Sequence, residues 1–189
     1  MNLINIFSIP VFTGEIDAQR IIFKKTVSFL HPFSGTETLR GKVTDESVSY
    51  LCETLTQILE PHMPPFKMKL HDVWENVYKK GDVGHAHIHH GGKLSFIIYK
   101  SGKANTVLLG PYHYLGGCMD MEPPLSDLYP WYVIPPMKVN QVLIFPSFLE
   151  HMVKKVTEDG ITISGDIVIK SDLPTDDLIT KDNPHHGKK

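Results

Sequence analysis

After Pro65 the chain changes character, and the change limits the folds open to it. Eight short segments follow, at 70–79, 85–89, 94–99, 105–109, 131–134, 141–145, 151–156 and 161–169. They are rich in β-branched and aromatic residues, and Gly, Pro, Asn or Asp separates them. Many short strands at this spacing predict a sandwich, a jelly roll or a barrel.

The part before Pro65 reads differently. Residues 1–12 alternate and predict a short strand. Residues 15–30 predict a helix with an apolar stripe of Ile21, Ile22, Val27 and Leu30. Residues 45–60 predict a second helix, with Val48, Leu51, Cys52, Leu55, Ile58 and Leu59 at i, i+3, i+4 spacing. Thr44 suits its N-cap, and Pro61, Pro64 and Pro65 stop it. Two helices ahead of the strands would cover one sheet on its outer face. The 189 residues suit one domain over 1–171, with helical support at 15–62 and a β-core at 66–170. A polar, flexible tail is expected over 172–189. The irregular stretch 110–130 is long for a compact domain, so its Tyr112, His113 and Tyr114 are candidates to contact a substrate.

Charge and cysteine content remove several function classes. The 19 Lys and Arg nearly balance the 21 Asp and Glu, so no global field attracts nucleic acid or an anionic membrane. Cys52 and Cys118 make neither a disulfide framework nor a C-x-x-C pair. No apolar run approaches the roughly 20 residues of a membrane span. These features predict a cytoplasmic protein, and they make nucleic acid a poorer fit as a partner than a protein side chain or a small molecule.

Histidine carries the chemistry. Four of the 11 histidines, His85, His87, His89 and His90, fall together. If 85–89 is a strand, His85, His87 and His89 share one face. Such a row suits a divalent transition metal, and it also suits an exposed edge strand. His151 follows the apolar run Val142-Leu143-Ile144-Phe145 and a Pro146-Ser147 turn, 64 residues after His87. Distant strands can meet at a barrel mouth, and a third imidazole arriving that way would complete a facial triad.

Two stretches carry a resemblance. His87-Ile88-His89-His90-Gly91-Gly92-Lys93-Leu94-Ser95-Phe96-Ile97-Ile98-Tyr99 and Phe145-Pro146-Ser147-Phe148-Leu149-Glu150-His151-Met152-Val153 resemble the iron(II)/2-oxoglutarate-dependent oxygenases, in particular a small group with H-x-H and F-P-S-x-L-x-H motifs. The stretch from Trp74 to Asp82 and the opening run from Ile6 to Phe12 are similar to that group as well. The resemblance implies a mainly β fold with N-terminal helices, a cupin-like double-stranded β-helix (jelly roll). It implies a hydroxylase that takes Fe(II), 2-oxoglutarate and O2, with His87, His89 and His151 on the metal. His89 stands where the superfamily usually has a carboxylate. His85 offers an alternative ligand register or an outer position, and Asp166 could brace an imidazole. The Arg that usually pairs with the free carboxylate of 2-oxoglutarate is missing: Gly160 stands in its place, and no Arg follows Arg40. Lys100, then Lys103, would replace it, with Tyr78, Tyr99 and Thr162 adding hydrogen bonds. Two other functions fit the same residues. One is a cupin-like three-histidine dioxygenase or hydrolase that does not use 2-oxoglutarate. The other is a non-catalytic jelly-roll module holding zinc.

Overall fold

A computed structural model describes residues 9–30, 36–103, 105–110 and 131–171. It is mainly β, with two antiparallel sheets and one α-helix. The strands in chain order are β1 (Phe12–Glu15), β2 (Phe23–Leu30), β3 (Glu37–Val43), β4 (Phe66–Tyr78), β5 (Gly84–His87), β6 (Leu94–Ser101), β7 (Thr106–Leu109), β8 (Tyr132–Val133), β9 (Gln141–Pro146), β10 (His151–Val153) and β11 (Gly160–Ser171). Seven form the large sheet, in the order β1-β9-β6-β11-β4-β3-β2. Four form the small sheet, β5-β10-β7-β8. Of strands β4 to β11, β4, β6, β9 and β11 lie in the large sheet and β5, β7, β8 and β10 in the small one, as in a jelly roll, and the eight correspond to the eight expected segments. Residues 1–8, most of 110–130 including Tyr112, His113 and Tyr114, and the tail from 172 lie outside the described residues.

The helix α1 (Asp45–Leu59) forms where its pattern places it. The Thr44 hydroxyl accepts from the Ser47 N–H at 3.2 Å, and Asp45 and Glu46 occupy the first turn. Leu51, Leu55 and Leu59 are fully buried against Val73, Phe96, Ile98, Val142, Ile144, Ile163 and Ile167 of the large sheet. Alternation sends the intervening residues the other way. Ile97, Tyr99, Leu143 and Phe145 face the small sheet with Leu108 and Leu149. Cys52 is half-buried at the edge of the helix stripe, and burial raises its thiol pKa.

The helix expected over 15–30 does not form. Asp17 caps a 3-10 turn, Ala18–Arg20, and β2 then pairs with β3 in an antiparallel hairpin. The reason lies in where the apolar residues can go. Only Ile21 of the proposed stripe is buried; Ile22, Val27 and Leu30 are more than half exposed. A helix there would have no core to cover, whereas β-branched and aromatic residues suit an edge hairpin. Among the described residues one α-helix therefore covers the large sheet, and β3 has no counterpart among the expected elements.

Gly165 sits at the centre of β11 because nothing larger fits. A Cβ there would lie 2.5 Å from the Phe96 ring and 2.6 Å from the Asp72 carbonyl oxygen. The helix–sheet contact should dominate stability. Leu55→Ala is expected to cost about 2–5 kcal/mol in urea unfolding, while Val48→Ala, on the exposed edge of the same helix, should cost well under about 1 kcal/mol.

Candidate metal centre

The small sheet brings the distant histidines together. His151 opens β10 and is the direct cross-strand partner of His87 on β5. Strand β5 ends at His87, so His89 lies beyond it in a loop. That loop is held by backbone bonds: the His89 N–H donates to Ser147 O at 2.9 Å, and the Ser147 N–H donates to Lys93 O at 3.1 Å. The H-x-H stretch and the Pro146-Ser147 turn thus lock onto each other. Gly92 permits the fit, since a Cβ would stand 2.9 Å from both Ile167 O and Leu94 O.

His87, His89 and His151 present ligand atoms that all lie within 4.8 Å of one another and could hold a metal ion. His85 is outside this cluster; it lines the adjoining cavity, and its carbonyl accepts from His87 Nδ1 at 2.7 Å. His89 Nδ1 is 2.7 Å from Asp166 Oδ1, and His151 Nδ1 is 3.1 Å from Leu149 O. Each Nδ1 faces an acceptor, so each carries the proton and the lone pair falls on Nε2. The Nε2 atoms of His87 and His89 are 3.3 Å apart. Two lone pairs at that distance repel unless a cation lies between them. Nitrogens about 2.1 Å from one ion and at right angles are about 3 Å apart, close to the spacing seen. The residues therefore fit a divalent transition ion.

The surroundings keep His151 in its ligating form. His151 is buried, and its pKa falls to about 3, first from burial and then from neighbouring His87. Burial alone would raise the Asp166 carboxyl, but hydrogen bonds from His89 and the Ser95 hydroxyl hold it below the usual range. Ser95 donates to Asp166 Oδ1 at 2.7 Å and lies 2.9 Å from Ser147 Oγ.

The histidines open onto a cavity of about 590 Å³ between the sheets. Tyr78 and Thr162 line it. Tyr99 lies in the core behind the cavity wall, its hydroxyl donating to Thr106 Oγ1 at 2.7 Å. Lys100 and Lys103 are not brought to the cavity. Tyr99 and Lys100 are adjacent on β6 and must face opposite ways; Lys100 points to the outer face, with Nζ 2.7 Å from Glu75 Oε2. Lys103 is exposed. Gly160 pairs with Tyr78 at the start of β11, and the residues β11 turns to the cavity are Thr162, Ser164 and Asp166.

Sequence reasoning passed over Arg40, Asp72, Trp74 and Asn76, all in the cavity wall. The Trp74 ring centre lies 5.3 Å from that of His89. Period-two alternation from Tyr78 back to Asp72 would have found the three β4 residues. Arg40 had no such signal, because it rides on β3.

A family model described as "Putative 2OG-Fe(II) oxygenase" matches residues 72–166, which include all three histidines and Asp166. No curated protein matches the chain. Among solved structures, an oxidoreductase of the 2OG-Fe(II) oxygenase family from Burkholderia pseudomallei superposes with a TM-score of 0.51 at 8% identity, over 76% of this chain and 73% of that one. The non-heme α-ketoglutarate-dependent epimerase SnoN from nogalamycin biosynthesis superposes with a TM-score of 0.51 at 10% identity, over 77% and 67%. At such identities the likeness is one of fold, the double-stranded β-helix. Among the described residues no helix is long and apolar enough to cross a membrane.

The Asp166 contact yields a direct test. Asp166→Asn should keep the fold while lowering divalent-metal affinity about 10- to 100-fold, as loss of an outer-shell carboxylate does. Titration with Co(II), followed by absorption, measures it.

Proposed function

The chain belongs to the family described as "Putative 2OG-Fe(II) oxygenase", an enzyme family, and on that premise we propose that it is an iron(II)- and 2-oxoglutarate-dependent hydroxylase with His87, His89 and His151 as its metal ligands. The observation that carries this reading is the convergence of three imidazoles, each with Nδ1 turned to an acceptor. Iron(II) with 2-oxoglutarate supplies, when bound, the activation of O2 and the oxidative decarboxylation to succinate and CO2 that is coupled to hydroxylation of a C–H bond.

The protein contributes position, charge and exclusion of water. The His85 and Leu149 carbonyls and the Asp166 carboxylate fix the three rings, so little reorganisation is needed on metal binding. Asp166 raises the donor strength of His89 without occupying a coordination position. Three neutral imidazoles would place no charged ligand on a divalent ion, and the nearest carboxylate, Asp166, sits one imidazole away, so a positive field remains for an anionic 2-oxo acid. Trp74 and Ile97 give the cavity apolar wall, and the burial of His151 keeps bulk water from one side.

The test is anaerobic. Wild-type protein with Fe(II) should bind 2-oxoglutarate far better than metal-free protein, and should form succinate once O2 is admitted. His151→Ala should lose both properties, with its fold checked by circular dichroism. Binding that is no better with metal than without it refutes the reading. Metal-dependent O2 uptake that yields no succinate points instead to a three-histidine dioxygenase.

A further inference from the structure

A 2-oxoglutarate molecule bound as proposed above leaves one carboxylate to be accommodated, and the assignment of its partner rests on that reading. A carboxylate placed in a cavity without a cation carries a large desolvation cost. At the buried end of this cavity the Tyr78 hydroxyl is hydrogen-bonded to Thr162, and the Tyr99 hydroxyl, in the core behind the wall, already donates to Thr106. Burial pushes both tyrosines up to about 12, so that end resists negative charge. Lys100 cannot relieve it, since it is engaged with Glu75 on the opposite face of the sheet.

The open end is different. Apart from the histidines, Arg40 is the one cationic side chain among the described residues that lines the cavity. Arg40 is the cross-strand partner of Trp74, and its guanidinium carbon lies 5.6 Å from the indole centre. The same indole is 5.3 Å from the His89 ring, so one aromatic wall runs from the metal ligands to the cation. Arg40 Nη1 is 3.5 Å from Asp72 Oδ2, a long and partly exposed contact. It steadies one edge of a five-donor fork and leaves the rest for a ligand.

We propose that Arg40 binds the free carboxylate of the 2-oxo diacid, whose carbon chain lies along the Trp74 indole. The anchor then comes from β3, outside the eight strands β4 to β11, and not from β11, where Thr162 faces the cavity. Asp72 holds the guanidinium toward the cavity and competes for one edge only.

Calorimetry on the full chain loaded with Mn(II) tests this, comparing 2-oxoglutarate with 2-oxobutyrate, which has the same keto-acid head and no second carboxylate. Arg40→Gln should weaken 2-oxoglutarate about 10- to 100-fold, the range for a charge-assisted hydrogen bond, and leave 2-oxobutyrate unchanged. Arg40→Lys should restore part of the loss as a point charge. Unchanged 2-oxoglutarate affinity in Arg40→Gln overturns the proposal while leaving 2-oxoglutarate use intact. Equal weakening of both acids overturns it too, because the effect would not be specific to the second carboxylate. If the wild type binds 2-oxoglutarate no better with Mn(II) than without it, the proposed function itself fails.

Discussion

The hydrogen bond from His89 Nδ1 to Asp166 Oδ1 joins the two sheets at the point where the chemistry is expected. His89 belongs to the loop leaving the small sheet, and Asp166 to β11 near the middle of the large one. Both side chains are more than nine-tenths buried, so the bond acts in a low local dielectric and neither partner can be left unsatisfied cheaply. Ser95 donates to the same oxygen, and Ser147 lies beside it, tying β6 and the turn after β9 into the same network. The orientation of His89 is thus set by three segments, β6, the turn after β9 and β11. His151, paired with His87 across β10 and β5, completes the cluster by backbone register alone.

Charge gives these contacts a common logic. The negative group nearest the histidines is Asp166, and it is spent on an imidazole N–H. The ligating nitrogens carry no charge of their own, so a divalent ion there would be offset only in part, by Asp166 one imidazole away. The buried hydroxyl end of the cavity adds no charge. Arg40 and Asp72 at the open end balance each other. A 2-oxo diacid bound at a metal ion, as proposed, would meet Arg40 at its far end.

Much of the fold was legible, for reasons that also explain what was not. Most segments from β4 onward bury one or both faces, so alternation and turn residues mark them in the sequence, while β5 and β8 are largely exposed. α1 shows the same clarity through Leu51, Leu55 and Leu59. The β2–β3 hairpin buries little, and its pairing partner fixes it; Ile21, Ile22, Val27 and Leu30 mimic a helical stripe without any surface to cover. The three clustered histidines were legible as residue types at telling spacings, yet the strand that was to align them stops at His87. Lys100 lies across the sheet from the cavity, since a strand cannot turn Tyr99 and Lys100 to the same side. Arg40 could not have been found without β3, and β3 could not be read from its own residues.

The central claim is that three imidazoles, and no carboxylate, hold the metal. X-ray absorption of the anaerobic Fe(II)-loaded protein measures this directly, because imidazole rings give outer-shell scattering that carboxylates lack. The account predicts three imidazoles on the iron in the wild type and two in His89→Ala. Two imidazoles with a carboxylate in the wild type would contradict it, because Asp166 would then have left His89 for the metal.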